Sequence, residues 1–344
     1  MKAERLAAAR SGLAPAALIR ATPLLFPLVF VCTAVTGVLS TLYAALALHL
    51  LIIASELTVG RRWSEVAIPK LVEGSSTFED LWPVLWFGLH LVALVAALSF
   101  VGSADLTWRQ VFAVGAFFGY SINAFSAAAA HELIHRESHA ERAFGRLLCA
   151  IMLYPHFPCV HLSAHHHWAG TDHDCQTPKP GQTIHAYLAQ ALFGGLRAAA
   201  TPQARALDRG LPLRALFCVL VVAAPLMFAP VLSAFMIVQG LFAFLVIETI
   251  NYVQHCPFPD DDHSAAAAAS THQDLNFVSR ALLLNLPLHA AHHDRPALHY
   301  ANLTPSAEAA TLRLGYWCSF WLVWLPPVWH SLRHNLCSHH RRSP

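Results

Sequence analysis

The sequence predicts an all-α integral membrane protein, with six transmembrane helices in three hairpins and a histidine-rich site on the cytoplasmic side. Three observations carry that prediction. The 344 residues are 56% hydrophobic and only 12% charged. An ordinary globular chain is about 25% charged, so a soluble surface of this size could not be covered. The apolar residues gather into runs of membrane-spanning length, and lysine and arginine avoid the turns between those runs.

A spanning helix needs about 20 mostly apolar residues. The first run, residues 21–59, is long enough for two spans, with a break from Thr36-Gly37 to Ser40-Thr41 that makes it a hairpin. Runs over 81–101 and 111–130 form a second hairpin across the polar turn Gly102-Ser103-Ala104-Asp105. Residues 213–253 again suit two spans, turning near Ala229-Pro230. The whole chain, 1–344, reads as a single membrane-embedded domain. Two shorter apolar stretches, 147–158 and the tryptophan-rich 316–329, broken by Pro326-Pro327, read as interfacial or re-entrant segments. The alanine run 265–269 reads as a loop tip.

Charge placement orients the layout. Lys2, Arg5, Arg10 and Arg20 precede the first helix, Arg61, Arg62 and Lys70 separate the first two hairpins, and a series from Arg136 to Arg209 separates the second and third. The positive-inside rule then puts both termini and both long loops in the cytoplasm of an inner-membrane protein. No cleavable signal peptide is evident. The eight cysteines form no C-x-x-C pair, which argues against a built-in rubredoxin-like module. No basic stripe is interleaved with aromatics, so nucleic acid is not an expected partner.

Histidine is the unusual residue: 23 of them, against 22 lysines and arginines together. Four groups fall on the cytoplasmic side. His131 and His135 stand in H-E-x-x-H at the exit of the fourth helix, on one helical face. His161, His165 and His166 form H-x-x-x-H-H. His255 ends the sixth helix, and His289, His292 and His293 form H-x-x-H-H. One zinc takes four ligands; nine imidazoles suit two ions at four or five ligands each. Imidazole serves iron, copper, zinc or nickel, so ligand type alone does not name the metal. H-E-x-x-H is also a zinc peptidase signature, but a peptidase needs one further ligand and leaves the other groups without work. Glu132 therefore reads as an ion-pair partner or an acceptor behind the ligands rather than as a base. His139, His156, His167, His173 and His299 read as supporting residues. The remaining histidines, His49 and His90 among them, read as ordinary core or surface residues.

The motifs HELIHR (131–136), HLSAHHHWAG (161–170), NYVQHC (251–256) and LPLHAAHHDRPALHY (286–300) resemble those of the membrane-bound alkane hydroxylases, within the membrane fatty acid desaturase–hydroxylase superfamily. The resemblance runs from about residue 80 to 300. It implies six transmembrane helices and a non-haem di-iron centre at the cytoplasmic face. By resemblance the ligands are His131, His135, His161, His165, His166, His255, His289, His292 and His293. The neighbours of the ligands depart from the pattern. Arg136 replaces a lysine and Val160 a glutamate. Gln254-His255-Cys256-Pro257 stands for E-H-Y-G, and Pro287-Leu288-His289-Ala290-Ala291-His292-His293 for Q-R-H-S-D-H-H.

What the resemblance implies is an O₂-dependent monooxygenase that hydroxylates a medium-chain alkane, a fatty acyl chain or a related apolar substrate drawn from the bilayer. No flavin, haem or iron–sulfur motif is visible, so electrons are expected from a separate rubredoxin or ferredoxin with its reductase. A desaturase or other oxidative enzyme of the same superfamily is the alternative; a non-catalytic metal-binding protein or transporter is a third class. The small residues Ser126–Ala130 either leave room for a substrate tunnel or allow close helix packing. Asp172, Asp174 and Asp294 either hold histidine N–H groups or form solvated ion pairs. Glu248 and Asn251 share a face with His255, and an ionisable residue inside a span is a functional candidate. Either one is expected to orient a ligand imidazole or a metal-bound water, unless it makes a helix–helix hydrogen bond. Glu248→Gln should leave expression intact and lower iron content or turnover, as metal analysis and product assay would show.

Overall fold

The computed structural model describes residues 24–26, 28, 38–60, 77–256 and 271–338. The first limb of the first hairpin, its turn at Thr36-Gly37 and the alanine run 265–269 lie outside the described residues, apart from four residues of that limb. Helix α1 is Val38–Ser55, continued by a π-turn over Glu56–Gly60. Ser40 and Thr41 therefore sit within a helix rather than in a break. The second hairpin is α2, Thr77–Ser103, and α3, Trp108–Ile134. Thr107 caps α3 through a reciprocal pair with Gln110, which satisfies orphan donors at the start of the helix. Helix α4 is His139–Ile151, followed by an irregular helix α5 over 157–168. Then come α6, Ile184–Ala199, α7, Pro202–Leu207, and α8, Leu211–Ala223. A 3₁₀ turn at Pro225–Met227 leads into α9, Pro230–His255, close to the expected turn.

Among the described residues, three helices are long and apolar enough to cross a membrane: Glu79–Ser103 of α2, Trp108–Ile134 and Pro230–His255. Leu42–Thr58 and Leu211–Met227 are apolar but shorter. The second of these begins after Gly210 and passes into the 3₁₀ turn at Pro225.

Beyond α9 lie the short helices α10, Phe277–Leu282, α11, His289–Asp294, α12, Tyr316–Leu322, and α13, Pro326–Leu336. The expectation of an all-α chain needs one correction. Gln273–Asp274 (β1), Thr311–Leu312 (β2) and Cys337–Ser338 (β3) form a minimal sheet in the order β1-β2-β3, with β1 and β2 parallel and β2 and β3 antiparallel. It ties the segment after α9 to the C-terminal segment.

The core is the α3–α9 pair. A Cβ on Gly119 would lie 2.5 Å from the Phe242 Cβ and 2.6 Å from the Gln239 carbonyl, so these two backbones meet at glycine. Asn123 in α3 donates to the Gln239 side chain at 2.8 Å, and Gln239 in turn donates to the Ile151 carbonyl at 3.0 Å. A Cβ on Gly145 would meet the Ala130 carbonyl at 2.9 Å. The stretch 147–158 packs largely into the interior; Leu148, Cys149, Ala150 and Met152 are fully buried, while Leu147 is exposed. On α2, Trp86 and His90 both reach the Ser126 hydroxyl, at 2.9 and 2.7 Å, and that hydroxyl donates to the Ile122 carbonyl. His90 is therefore a core histidine, as the sequence suggested, bonded through Nδ1 while its Nε2 is buried without a partner.

The C-terminal segment re-enters the protein. Glu56 accepts the backbone N–H groups of Trp317 and Cys318, at 3.1 and 2.9 Å, and the Ser279 hydroxyl. Asp274 accepts the Tyr316 N–H at 3.0 Å. Burial and the nearby Glu56 carboxylate push the Asp274 carboxyl up to about 8. These bonds seat α12 against α3, with Phe320 packed on Tyr120 and Trp317 on Phe125.

Gly119→Ala should lower stability by about 1–3 kcal/mol, because the new methyl group meets backbone rather than a movable side-chain tip. Gly88→Ala, with nothing within 4 Å of its added Cβ, should be neutral or stabilising. Thermal unfolding of the two purified variants in detergent checks the contrast.

Candidate metal centre

Four elements deliver the nine histidines to one place. His131 lies in the last turn of α3 and His135 is its C-cap residue, one above the other at i, i+4 spacing. Helix α5 carries a π-turn over His161–His165, closed by an i→i+5 bond from the His166 N–H to the His161 carbonyl. Such a widened turn is a recurrent device at functional sites. Here it brings His166 edge-on to His161, Nε2 to Nε2 at 2.9 Å, and turns His165 toward a different partner set. His255 is the last residue of α9. Leu284 and Asn285 adopt positive φ, 53° each, in the tight turn that precedes α11. A leucine there is strained, and the turn delivers His289, His292 and His293.

The imidazoles sort into two groups. His131, His135, His161, His166 and His292 form one; His165, His255, His289 and His293 form the other. Within each group the candidate ligand atoms lie within 4.8 Å of one another. The Nε2 atoms of His135, His161 and His166 form a triangle with edges of 3.1, 3.1 and 2.9 Å. His292 approaches His166 at 3.2 Å. In the second group, His289 lies 3.0 Å from His255 and 3.2 Å from His293.

Imidazoles alone cannot satisfy this arrangement. A nitrogen either donates its N–H or offers a lone pair, so in a triangle of three at least one edge sets like against like. A central cation meets all three lone pairs at once. With metal–nitrogen bonds of about 2.1 Å, neighbouring ligand atoms stand roughly 3.0–3.4 Å apart, which is the spacing found. Several ring nitrogens, including Nε2 of His131 and of His165, have no hydrogen-bond partner although buried. The residues present therefore fit two imidazole-bound transition-metal ions. Burial, reinforced by neighbouring imidazoles, pushes the pKa of His161, His166, His289, His292 and His293 well down, and that of His135 to about 3. Near neutral pH these rings are uncharged, the form that binds metal.

Asp174 orients one ligand. The His165 Nδ1–H donates to Asp174 Oδ2 at 2.7 Å, and Thr177 Oγ1 and the Gln176 N–H bind the same carboxylate at 2.7 and 2.9 Å. Burial opposes ionisation of Asp174, but His165 and these donors outweigh it and hold the carboxyl below its usual range. His165 Nε2 is thereby left as the lone pair facing the second group. Asp294 is instead exposed beside Arg295, and Asp172 is exposed as well.

Glu248 makes hydrogen bonds between elements, the alternative the sequence left open for it. It accepts the Tyr154 hydroxyl at 2.7 Å, the Tyr187 hydroxyl at 2.8 Å, Gln176 Nε2 at 3.1 Å and Asn251 Nδ2 at 3.3 Å. None of these partners is a histidine. Glu248 braces Gln176, next in line behind Asp174, and fixes Asn251. The phenols of Tyr154 and Tyr187, 33 residues apart and each without a local motif, could not be found from sequence. Glu132 pairs with Arg136 at 2.9 Å and accepts the Tyr300 N–H at 3.4 Å, the ion-pair role expected of it. His299 joins Arg136 and Asp80 at 2.9 and 3.0 Å. His139, His156, His167 and His173 belong to neither histidine group.

A cavity opens onto both groups, since His131 of the first and His289 of the second line it. Ala124, Ala127 and Ala128 form part of its wall, while Ala130 packs on Gly145. The small residues of α3 thus serve both purposes: one face leaves room and the other allows close packing. Asp174→Ala should weaken metal binding in the four-histidine group by about 10–100-fold. A metal titration of purified protein, with thermal unfolding as the control for folding, checks this.

Residues 106–313 match the fatty acid desaturase family model, a span holding all nine histidines. The chain is 23% identical over 284 residues to alkane 1-monooxygenase of Ectopseudomonas oleovorans, covering 78% of this chain and 70% of that one. It is 27% identical to alkane 1-monooxygenase 1 of Pseudomonas aeruginosa, over 62% of this chain and 60% of the relative. Identity to the hydroxylase component of the xylene/toluene monooxygenase of Pseudomonas putida is 26%, over 59% and 58%. With the family model spanning more than half its length and the histidine groups inside that span, the chain belongs to the fatty acid desaturase family, a family of oxidoreductases.

Proposed function

We propose that this protein is a membrane di-iron monooxygenase that uses O₂ to hydroxylate an alkyl chain. The observation that carries the reading is the apolar cavity ending on both histidine groups. In this reading all nine histidines are iron ligands, five to one ion and four to the other. Iron bound there supplies O₂ activation and the oxidation of an unactivated C–H bond. The protein's own contribution is positional. Asp174 holds His165 in the tautomer that offers Nε2 inward. Glu132 and Arg136 brace the end of α3. The apolar wall admits an alkyl chain and keeps bulk water out, which preserves the low dielectric around the site.

The alkane 1-monooxygenases among its relatives support hydroxylation; the family to which the chain belongs is named for desaturation, and that is the second reading. Electrons come from a separate rubredoxin or ferredoxin with its reductase, for which basic residues such as Arg142, Lys179 and Arg197 provide an attractive surface. The topology in this reading has six spans, a single membrane-embedded domain, the histidine face in the cytoplasm and an inner-membrane location.

Purified protein should carry two irons per chain by elemental analysis. With ¹⁸O₂ and a reductant system, label in the organic product establishes hydroxylation; an unlabelled alkene establishes desaturation. Full zinc loading with no oxygen consumption removes both readings.

A further inference from the structure

The cavity wall is mostly apolar, and besides the groups near the histidines its polar atoms are the Tyr120 hydroxyl and Trp317 Nε1, both buried without a hydrogen-bond partner. Tyr120 lines the far part, about 16 Å from His131 along α3 by helical rise, and Ala124 stands about 10 Å from it. Near the histidines the lining includes Asn251, Gln254 and Tyr316. Asn251 Nδ2 is engaged by Glu248. The other two are not engaged. Gln254 is 1% exposed and Tyr316 fully buried, and neither Gln254 Nε2 nor the Tyr316 hydroxyl has a hydrogen-bond partner. The two side chains are neighbours, yet no properly directed hydrogen bond joins them.

Both groups are held firmly. Gln254 directly precedes His255 at the end of α9, and its carbonyl accepts the His272 N–H at 2.8 Å. The Tyr316 N–H is bound by Asp274 at 3.0 Å and by the Ser279 hydroxyl at 3.3 Å. Two rigid, buried donors facing a cavity are costly unless a ligand or water accepts from them.

We infer that the preferred substrate is an alkyl chain bearing one uncharged oxygen acceptor, such as an alcohol, ketone or ester, which Gln254 and Tyr316 bind at the histidine end of the cavity. The inference rests on the monooxygenase reading and narrows its substrate class. A plain hydrocarbon leaves both donors unpaired. A free carboxylate is disfavoured for another reason: no lysine or arginine lines the cavity among the described residues, and an unpaired charge buried there is expensive. The oxygen function sits beside the histidines and the apolar tail runs toward Tyr120.

The test compares n-decane, 2-decanone and decanoate on the full-length protein in lipid nanodiscs. Binding is read by calorimetric titration, and kcat/KM from ¹⁸O-labelled product. The inference expects 2-decanone to lead both decane and decanoate by roughly tenfold or more, in the range of sites built to hydrogen-bond a substrate. Tyr316→Phe and Gln254→Leu should each reduce the ketone-to-alkane binding ratio several-fold. Should Gln254→Leu fail to fold, Tyr316→Phe removes a single oxygen atom and carries the test. Decane binding as well as 2-decanone, or a ratio that Tyr316→Phe leaves unmoved, overturns the inference. If 2-decanone binds preferentially while no compound gains label, the monooxygenase reading fails and the assignment of the polar end survives.

Discussion

Everything in this protein is arranged around a repulsive arrangement of atoms. Nine imidazoles, seven of them buried, are gathered with ring nitrogens as close as 2.9 Å, and burial pushes the pKa of His161 and His166 well down. Lone pairs at that spacing do not attract one another, so the cluster is unfavourable as a packing of protein atoms alone and favourable once cations bridge it. The fold must hold the ligands together against this cost, and its other features serve that end.

The first of these is the close α3–α9 contact. Gly119 lets the two backbones meet, and the helices then deliver His131 and His255 from opposite sides of one site. A second is the layer behind the ligands, in which Asp174 holds His165, Gln176 bridges Asp174 to Glu248, and Glu248 is fixed by two phenols. This chain of buried polar groups runs unbroken from His165 to the two phenols, and such networks rigidify a core. A third is the return of the C-terminal segment, which Glu56 and Asp274 clamp by its backbone N–H groups.

These features are linked through the cavity. Its walls come from α3, α9, the turn before α11 and the returning α12, so the same contacts that assemble the ligands also shape the space beside them. The result is a mostly apolar channel that ends on the histidines.

The sequence by itself determined the membrane character, the limits of the second hairpin, the turn near Ala229-Pro230 and the nine-histidine set that the structure gathers. Composition, run length and i, i+4 spacing are local properties that survive without knowledge of the fold. Tertiary structure decided how the nine divide. The adjacent His165 and His166 belong to different groups, as do His292 and His293, because a π-turn and a short helix point neighbouring side chains apart. It also decided that Asp174 rather than Asp294 holds a ligand, that Glu248 binds phenols rather than imidazole, and that residues 316–320 wall the cavity. Each of these depends on contacts between residues far apart in the chain, such as Tyr154 with Glu248 or Glu56 with Trp317. Such pairings follow from the packing of whole helices and leave no periodicity in the sequence to read.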